Sequence, residues 1–210
     1  MAEITIVHLL RHGEVHNPEG ILYGRLPGYH LSAAGRAMAA SAADFFSERM
    51  IATVYASPLT RAQETAQPVA ERHGLEIVTE DRLIESANVL EGTRSSLKYL
   101  ARNPANWRYL WNPFTPSWGE PYVQVVARMW ASVERARDEN AGTEAVCVSH
   151  QLPIWATRLN AEGRRLVHNP RSRECALGSV TSFTFRGDEL AGVSYAVPAR
   201  RPVREEDAAQ

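Results

Sequence analysis

Apolar and polar positions alternate along this chain in two periods. Ile4 to Leu10 is an apolar run rich in Ile and Val that stops at the polar Arg11-His12-Gly13-Glu14, the pattern of a strand buried on both faces. A loop rich in Gly, Pro and Asn follows, over about 11–31. Ser32 is placed to cap a helix from Ala33 to about Arg49, whose apolar side includes Ala39, Ala43 and Phe46. Thr53 to Ala56 reads as a second strand. Thr60 and Gln63 fit a capping box, which predicts a helix reaching about His73-Gly74 with Arg61 in its first turn.

Glu76 to Thr79 offers a third strand, and about 86–121 is less periodic and aromatic-rich. A helix is expected from Tyr122 to Asn140, a buried strand from Ala145 to Val148, and a short helix from about Pro153. Val180 to Phe185 and Leu190 to Tyr195 alternate as a hairpin across Arg186-Gly187-Asp188-Glu189. Strand and helix alternate for most of the length. The expected fold class is therefore α/β, a three-layer α/β/α sandwich around a mostly parallel sheet. One domain is expected over 1–197, with about 86–121 as a candidate lid insertion and 198–210 as a disordered tail lacking a hydrophobic pattern.

Composition narrows the chemistry. The 210 residues are 44% hydrophobic and 22% charged, enough for one globular domain with its own core. A formal net charge of -1 gives no chain-wide attraction to nucleic acid or to an anionic membrane, so neither is expected as a partner. Lys98 is the only lysine, and Leu97-Lys98-Tyr99 is no Walker loop. Cys147 and Cys175 are too few and too isolated for a disulfide framework or structural zinc site. The first residues lack a signal-peptide pattern and no stretch is long and apolar enough to span a membrane. A cytoplasmic setting is expected.

In an open parallel sheet, ligands bind beyond the carboxyl ends of the strands. The first strand delivers Arg11 and His12 to that edge, the second Arg61 one loop later, and the strand Ala145 to Val148 delivers His150. Two arginines and two histidines at one edge suit a phosphoryl group. Guanidinium forks match phosphate oxygens, and a neutral imidazole can attack phosphorus with one nitrogen while the other fixes its tautomer.

Leu10-Arg11-His12-Gly13-Glu14, then Asn17, Leu31-Ser32-Ala33-Ala34-Gly35-Arg36, Ala56-Ser57-Pro58-Leu59-Thr60-Arg61-Ala62-Gln63-Glu64-Thr65-Ala66 and Val148-Ser149-His150 occur in this order. Together they resemble the histidine phosphatase superfamily, whose fold is phosphoglycerate mutase-like. The resemblance covers about 4–160. It implies cofactor- and metal-free turnover of a small-molecule phosphate monoester through a phosphohistidine. By position it makes His12 the nucleophile, Arg11 and Arg61 phosphate clamps, and His150 the second histidine on the transferred group. Asn17 matches the phosphate-pocket asparagine. Glu85, in Arg82-Leu83-Ile84-Glu85, takes the place of the proton donor, with Glu80 and Glu91 as nearby competitors.

Two departures matter. Mutases of this family continue after the acid with Arg-His-Tyr, whereas Glu85 is followed by Ser86-Ala87-Asn88. That leaves little fixed charge for a second phosphate and favours hydrolysis over phosphoglycerate mutase-type transfer. Gln151 stands where many relatives have Gly, and is expected to narrow the pocket or contact substrate. The aromatic residues Trp107, Tyr109, Trp111, Phe114, Trp118 and Tyr122 read more readily as packing under a loop than as a substrate lid. A cysteine phosphatase is excluded because Pro153 and Thr181 stand where its arginine belongs. His12-Gly13-Glu14-Val15-His16 lacks the order and helix of a zinc-protease pair. A non-catalytic phospho-ligand binding protein remains the rival from another class. The sequence assigns neither a natural substrate nor an oligomeric state.

Overall fold

The computed structural model describes residues 3–94 and 119–199. The aromatic run from Trp107 to Trp118, most of the expected lid and nearly all of the expected tail lie outside the described residues. The elements are β1 (Ile4–Arg11), α1 (Ala33–Phe46), β2 (Ile51–Ala56), α2 (Thr60–His73), β3 (Ile77–Thr79), α3 (Tyr122–Glu139), β4 (Glu144–Ser149), α4 (Gln151–Ala161), β5 (Val180–Arg186) and β6 (Glu189–Ala196). Short 3-10 turns at Asp81–Leu83 and Pro170–Ser172 join them. Among the described residues no helix is long and apolar enough to cross a membrane.

The six strands form one sheet in the order β3-β2-β4-β1-β5-β6. The first four run parallel, and β5 turns back antiparallel on β1 to make the hairpin with β6. The two-residue period of the strands divides the core. Val7 and Leu9 of β1 and Ala145 and Cys147 of β4 point to one face, where Val125, Met129 and Val133 of α3 and Ile154 of α4 cover them. Leu10, Val146 and Val148 point to the other, against Phe46 of α1 and Ala66 and Val69 of α2. Burying apolar side chains on both faces is why the central strands read as near-continuous apolar runs. The expected α/β/α sandwich is the fold.

Local boundaries differ from the sequence reading at α1, α2 and α4, and β2 begins at Ile51 rather than Thr53. Leu59, not Thr60, precedes the first turn of α2, and no side chain caps it. Gln63 Nε2 instead reaches the Ser57 carbonyl at 2.8 Å, because the close β2–α2 connection brings that acceptor nearer than a cap position. Helix α1 ends at Phe46 rather than Arg49, where the amide of Ser47 bonds to the Asp44 carbonyl. Helix α4 begins at Gln151, before the Pro153 that the sequence suggested, since proline fits the first turn of a helix where its missing N–H costs nothing.

Candidate active site

Strand β4 lies between β2 and β1, so three carboxyl ends meet at one edge. The amide of His12 donates to the Ser149 carbonyl at 3.0 Å, and that of Ser57 to the Val148 carbonyl at 3.0 Å. This pins Arg11 and His12, His150, and the loop leading to Arg61 around one point. Two glycines tighten it. A Cβ on Gly13 would stand 2.5 Å from the Gly35 carbonyl oxygen, and one on Gly35 only 2.0 Å from the Glu14 carbonyl oxygen. The loop after β1 therefore lies backbone to backbone on the start of α1. Ser32 fastens the contact: its Oγ donates to Glu14 Oε1 at 2.7 Å and accepts from the Gly35 amide at 3.0 Å. Glu14 is thus occupied in positioning α1.

His12 is buried, with Nδ1 2.7 Å from the Gly13 carbonyl oxygen. A carbonyl only accepts, so Nδ1 carries the hydrogen and Nε2 keeps its lone pair. Burial first, then the Arg61 and Arg11 guanidiniums, push the His12 pKa down to about 3. The ring is neutral at physiological pH. His150 is fully buried beside it, its Nε2 2.8 Å from Ser57 Oγ, and burial and then the neighbouring His12 and Arg61 hold it neutral as well.

Arg11 donates from Nη1 to the Cys175 carbonyl at 2.6 Å, and Arg61 from Nη2 to the Gly24 carbonyl at 2.6 Å. The Arg61 guanidinium stacks on Tyr23, 4.8 Å from the ring centre. Arg11 Nε, Arg61 Nε and His150 Nδ1 are buried without a hydrogen-bond partner. Each such unmade bond costs about 1–3 kcal/mol in an otherwise satisfied interior. Two permanent cations, each with an unpartnered Nε, stand beside the His12 imidazole, and His150 is the N-cap of α4, where the helix dipole favours negative charge.

A cavity of about 400 Å³ opens onto His12 and is lined also by Arg11, Asn17, Tyr23, Glu85, Gln151 and Arg173. Arg61 and His150 stand behind this lining rather than in it. Asn17 Nδ2 donates to the Ile21 carbonyl at 2.8 Å while its Oδ1 accepts from the Ile21 amide at 3.0 Å, which closes the loop and leaves one amide hydrogen.

Of the three candidate carboxylates only Glu85 lines this cavity. Burial raises its pKa, against the Ser86 amide at 2.8 Å and the charges of Arg61, Arg11 and Arg173. Glu80 is turned away and bound by Arg82 and Arg135, and Glu91 accepts from the Asn88 amide. The Glu85 backbone is itself held: Arg25 Nε donates to its carbonyl at 2.6 Å, and Arg128 Nη1 to the carbonyls of Arg82 and Ile84 at 2.5 and 2.6 Å. Glu120 accepts from both arginines and locks the pair.

The structure thus gathers His12, Arg11, Arg61, His150 and Glu85 around one point, with Asn17 and Gln151 on the cavity wall. Sequence reasoning missed Arg173, Tyr23 and the supports Arg25 and Arg128. In a chain whose basic residues are nearly all arginine, residue type carried no signal for the three arginines; Ser57 stood in a quoted motif without a role.

Comparison with known proteins agrees with this geometry. The profile of the histidine phosphatase superfamily (branch 1) matches residues 7–197. The chain is 59% identical over 200 residues to "Uncharacterized protein Rv0525" of Mycobacterium tuberculosis (strain ATCC 25618 / H37Rv), covering 95% of this chain and 99% of that one. It is 30% identical over 152 residues to "Phosphoserine phosphatase 1" of Hydrogenobacter thermophilus, covering 70% of this chain and 72% of that one. The solved structure of Bacillus stearothermophilus YhfR superposes with a TM-score of 0.75 at 25% identity, over 92% of this chain and 95% of that one. The ordered motifs, the fold and the convergence at the sheet edge have one common explanation: this chain belongs to the histidine phosphatase superfamily, branch 1.

Proposed function

We propose that this protein is a metal-independent phosphomonoester hydrolase that works through a phosphohistidine at His12. The observation that carries the reading is the set of unpartnered buried nitrogens, Arg11 Nε, Arg61 Nε and His150 Nδ1, around a neutral imidazole whose Nε2 is free to attack. The lone pair of Nε2 forms the N–P bond as the ester P–O bond breaks. The departing oxygen takes its electron pair and the proton of the Glu85 carboxyl, and leaves as an alcohol. A water then gives its proton back to the Glu85 carboxylate and forms a new P–O bond. The N–P bond breaks toward Nε2, and inorganic phosphate departs. Arg11 and Arg61 balance the charge on the transferred group throughout.

His150 serves the same group as a neutral donor. In that role Nδ1 carries the imidazole hydrogen and Nε2 accepts from the Ser57 hydroxyl, whose oxygen also lies 3.4 Å from the Leu59 amide. Hydrolysis is favoured over mutase transfer because Ser86, Ala87 and Asn88 bring no charge to the cavity wall. Arg173 adds one cation there that the sequence did not reveal, so the product assay matters: a hydrolase releases inorganic phosphate, a mutase moves it to another hydroxyl.

The test is turnover of p-nitrophenyl phosphate by wild type and His12→Ala, with rapid quench of a radiolabelled ester. An acid-labile adduct on His12 and loss of about three orders of magnitude in kcat on substitution are expected. Equal rates, or phosphate binding with no turnover in wild type, would overturn the reading and leave a phospho-ligand binding protein.

A further inference from the structure

Arg173 follows the 3-10 turn after α4 and is half-buried in the wall of the His12 cavity. Among the described residues it has no carboxylate partner. Its Nε donates to His168 Nε2 at 2.9 Å and its Nη1 to Gln151 Oε1 at 3.4 Å. The first bond fixes His168 as the tautomer with hydrogen on Nδ1, which donates to the Leu166 carbonyl at 2.6 Å. Both acceptors are neutral side chains. By contrast, Arg128 is answered by the Glu120 carboxylate. A half-buried guanidinium whose hydrogen-bond acceptors are both neutral, with Glu85 acting on it only through space, has donor capacity left for an anion.

The same contacts tie Arg173 to the phosphate end of the cavity. Gln151 Nε2 approaches the Cys175 carbonyl at 3.5 Å, and that carbonyl accepts from Arg11 Nη1 at 2.6 Å. Gln151 therefore lies between Arg173 and the carbonyl that accepts from Arg11. Arg173 Nη2 makes no hydrogen bond to a described residue, while Tyr122 and Leu152 join it on the cavity wall.

We propose that Arg173, oriented by His168 and Gln151, forms a second anion subsite, so that the preferred ester carries an anionic group, a carboxylate or a second phosphate, on its leaving alcohol. This rests on the phosphomonoesterase reading above and specifies its substrate class. It also gives Gln151 a reason to stand where a glycine would leave Arg173 without its acceptor.

The test compares ω-carboxyalkyl phosphates and alkanediol bisphosphates of increasing chain length with the matching uncharged alkyl phosphates. In wild type, one of the two anionic series is expected to exceed the alkyl series in kcat/KM by roughly 10- to 100-fold, carried mainly by KM, at one chain length. Arg173→Gln should erase that preference, and Arg173→Lys should restore part of it. Which anionic series wins identifies the group. Calorimetric binding of the same esters to His12→Ala, with and without Arg173→Gln, reads the subsite without turnover. If no ester is hydrolysed, the phosphatase reading fails while the binding comparison still decides on Arg173. Equal affinity for charged and uncharged esters, or a preference that survives Arg173→Gln, overturns the subsite.

Discussion

The rings of His12 and His150 lie 5.1 Å apart, centre to centre, with their planes tilted by 57°. Neither can hold a charge easily, because each is buried beside the other and beside Arg61 and Arg11. The Gly13 carbonyl sets the tautomer of His12, and Ser57 Oγ holds the ring of His150 from its Nε2 side. In the proposed mechanism one ring offers a lone pair and the other a hydrogen toward the transferred group.

That division of labour makes Ser57→Ala informative. Without the hydroxyl, His150 is free to carry its hydrogen on the wrong nitrogen. Inorganic phosphate should inhibit the variant about 10-fold more weakly, the equivalent of one ordinary hydrogen bond. Competitive inhibition constants measure this. Unchanged inhibition would show that Ser57 does not orient the ring.

In the proposed mechanism Glu85 donates a proton, and its burial shifts the carboxyl pKa upward. Activity on alkyl phosphates should therefore fall as pH rises through the Glu85 pKa, and Glu85→Gln should abolish that alkaline limb. The variant should lose about 10²- to 10⁴-fold in kcat on alkyl phosphates. It should lose far less on p-nitrophenyl phosphate, whose leaving group needs little protonation. Similar losses on both esters would point to a structural role.

Gly35→Ala tests the contact of α1 with the loop after β1. Its Cβ would meet the Glu14 carbonyl oxygen at 2.0 Å, and backbone must move to admit it. Overpacking of this kind costs about 1–3 kcal/mol, visible as a lowered denaturation midpoint, and the shifted loop should lower kcat as well. Wild-type stability in the variant would contradict the close approach.

Glu80 shapes the turn into Glu85 from a distance. Hydrogen bonds from Arg82, and then Arg135, pull its pKa from 4.5 down to about 2. A lowered folded pKa means stability that is present above about 4.5 and lost as pH falls toward 2. The guanidinium partners are more than a third exposed, so the contribution is about 1–2 kcal/mol after screening. Glu80→Gln should lose this at pH 7 and show a flatter stability profile between those limits. Urea melts across pH would register a parallel profile as a refutation.

Much of the site was legible because its residues sit next to strand ends, where order along the chain and position in space coincide. His12 directly follows β1 and His150 directly follows β4, so an apolar run followed by Arg-His or Ser-His already locates them. Thr60 and Gln63 misled for the complementary reason. A capping box is a local rule, and the nearby Ser57 carbonyl outcompeted it for Gln63 once β2 and α2 were packed together.

The chain alone determined the α/β layering, through the two periods of its apolar residues, and which arginines and histidines follow the strand ends that meet at the sheet edge. Only the tertiary structure decided that Glu85 rather than Glu80 or Glu91 enters the cavity, that Arg61 stands behind Tyr23, and that Arg173 reaches the wall. Hydrophobic periodicity is written in neighbouring residues. Which of several like charges is desolvated depends on partners far away in sequence, as Glu120 does in answering Arg25 and Arg128, and that is fixed only when the chain has closed on itself.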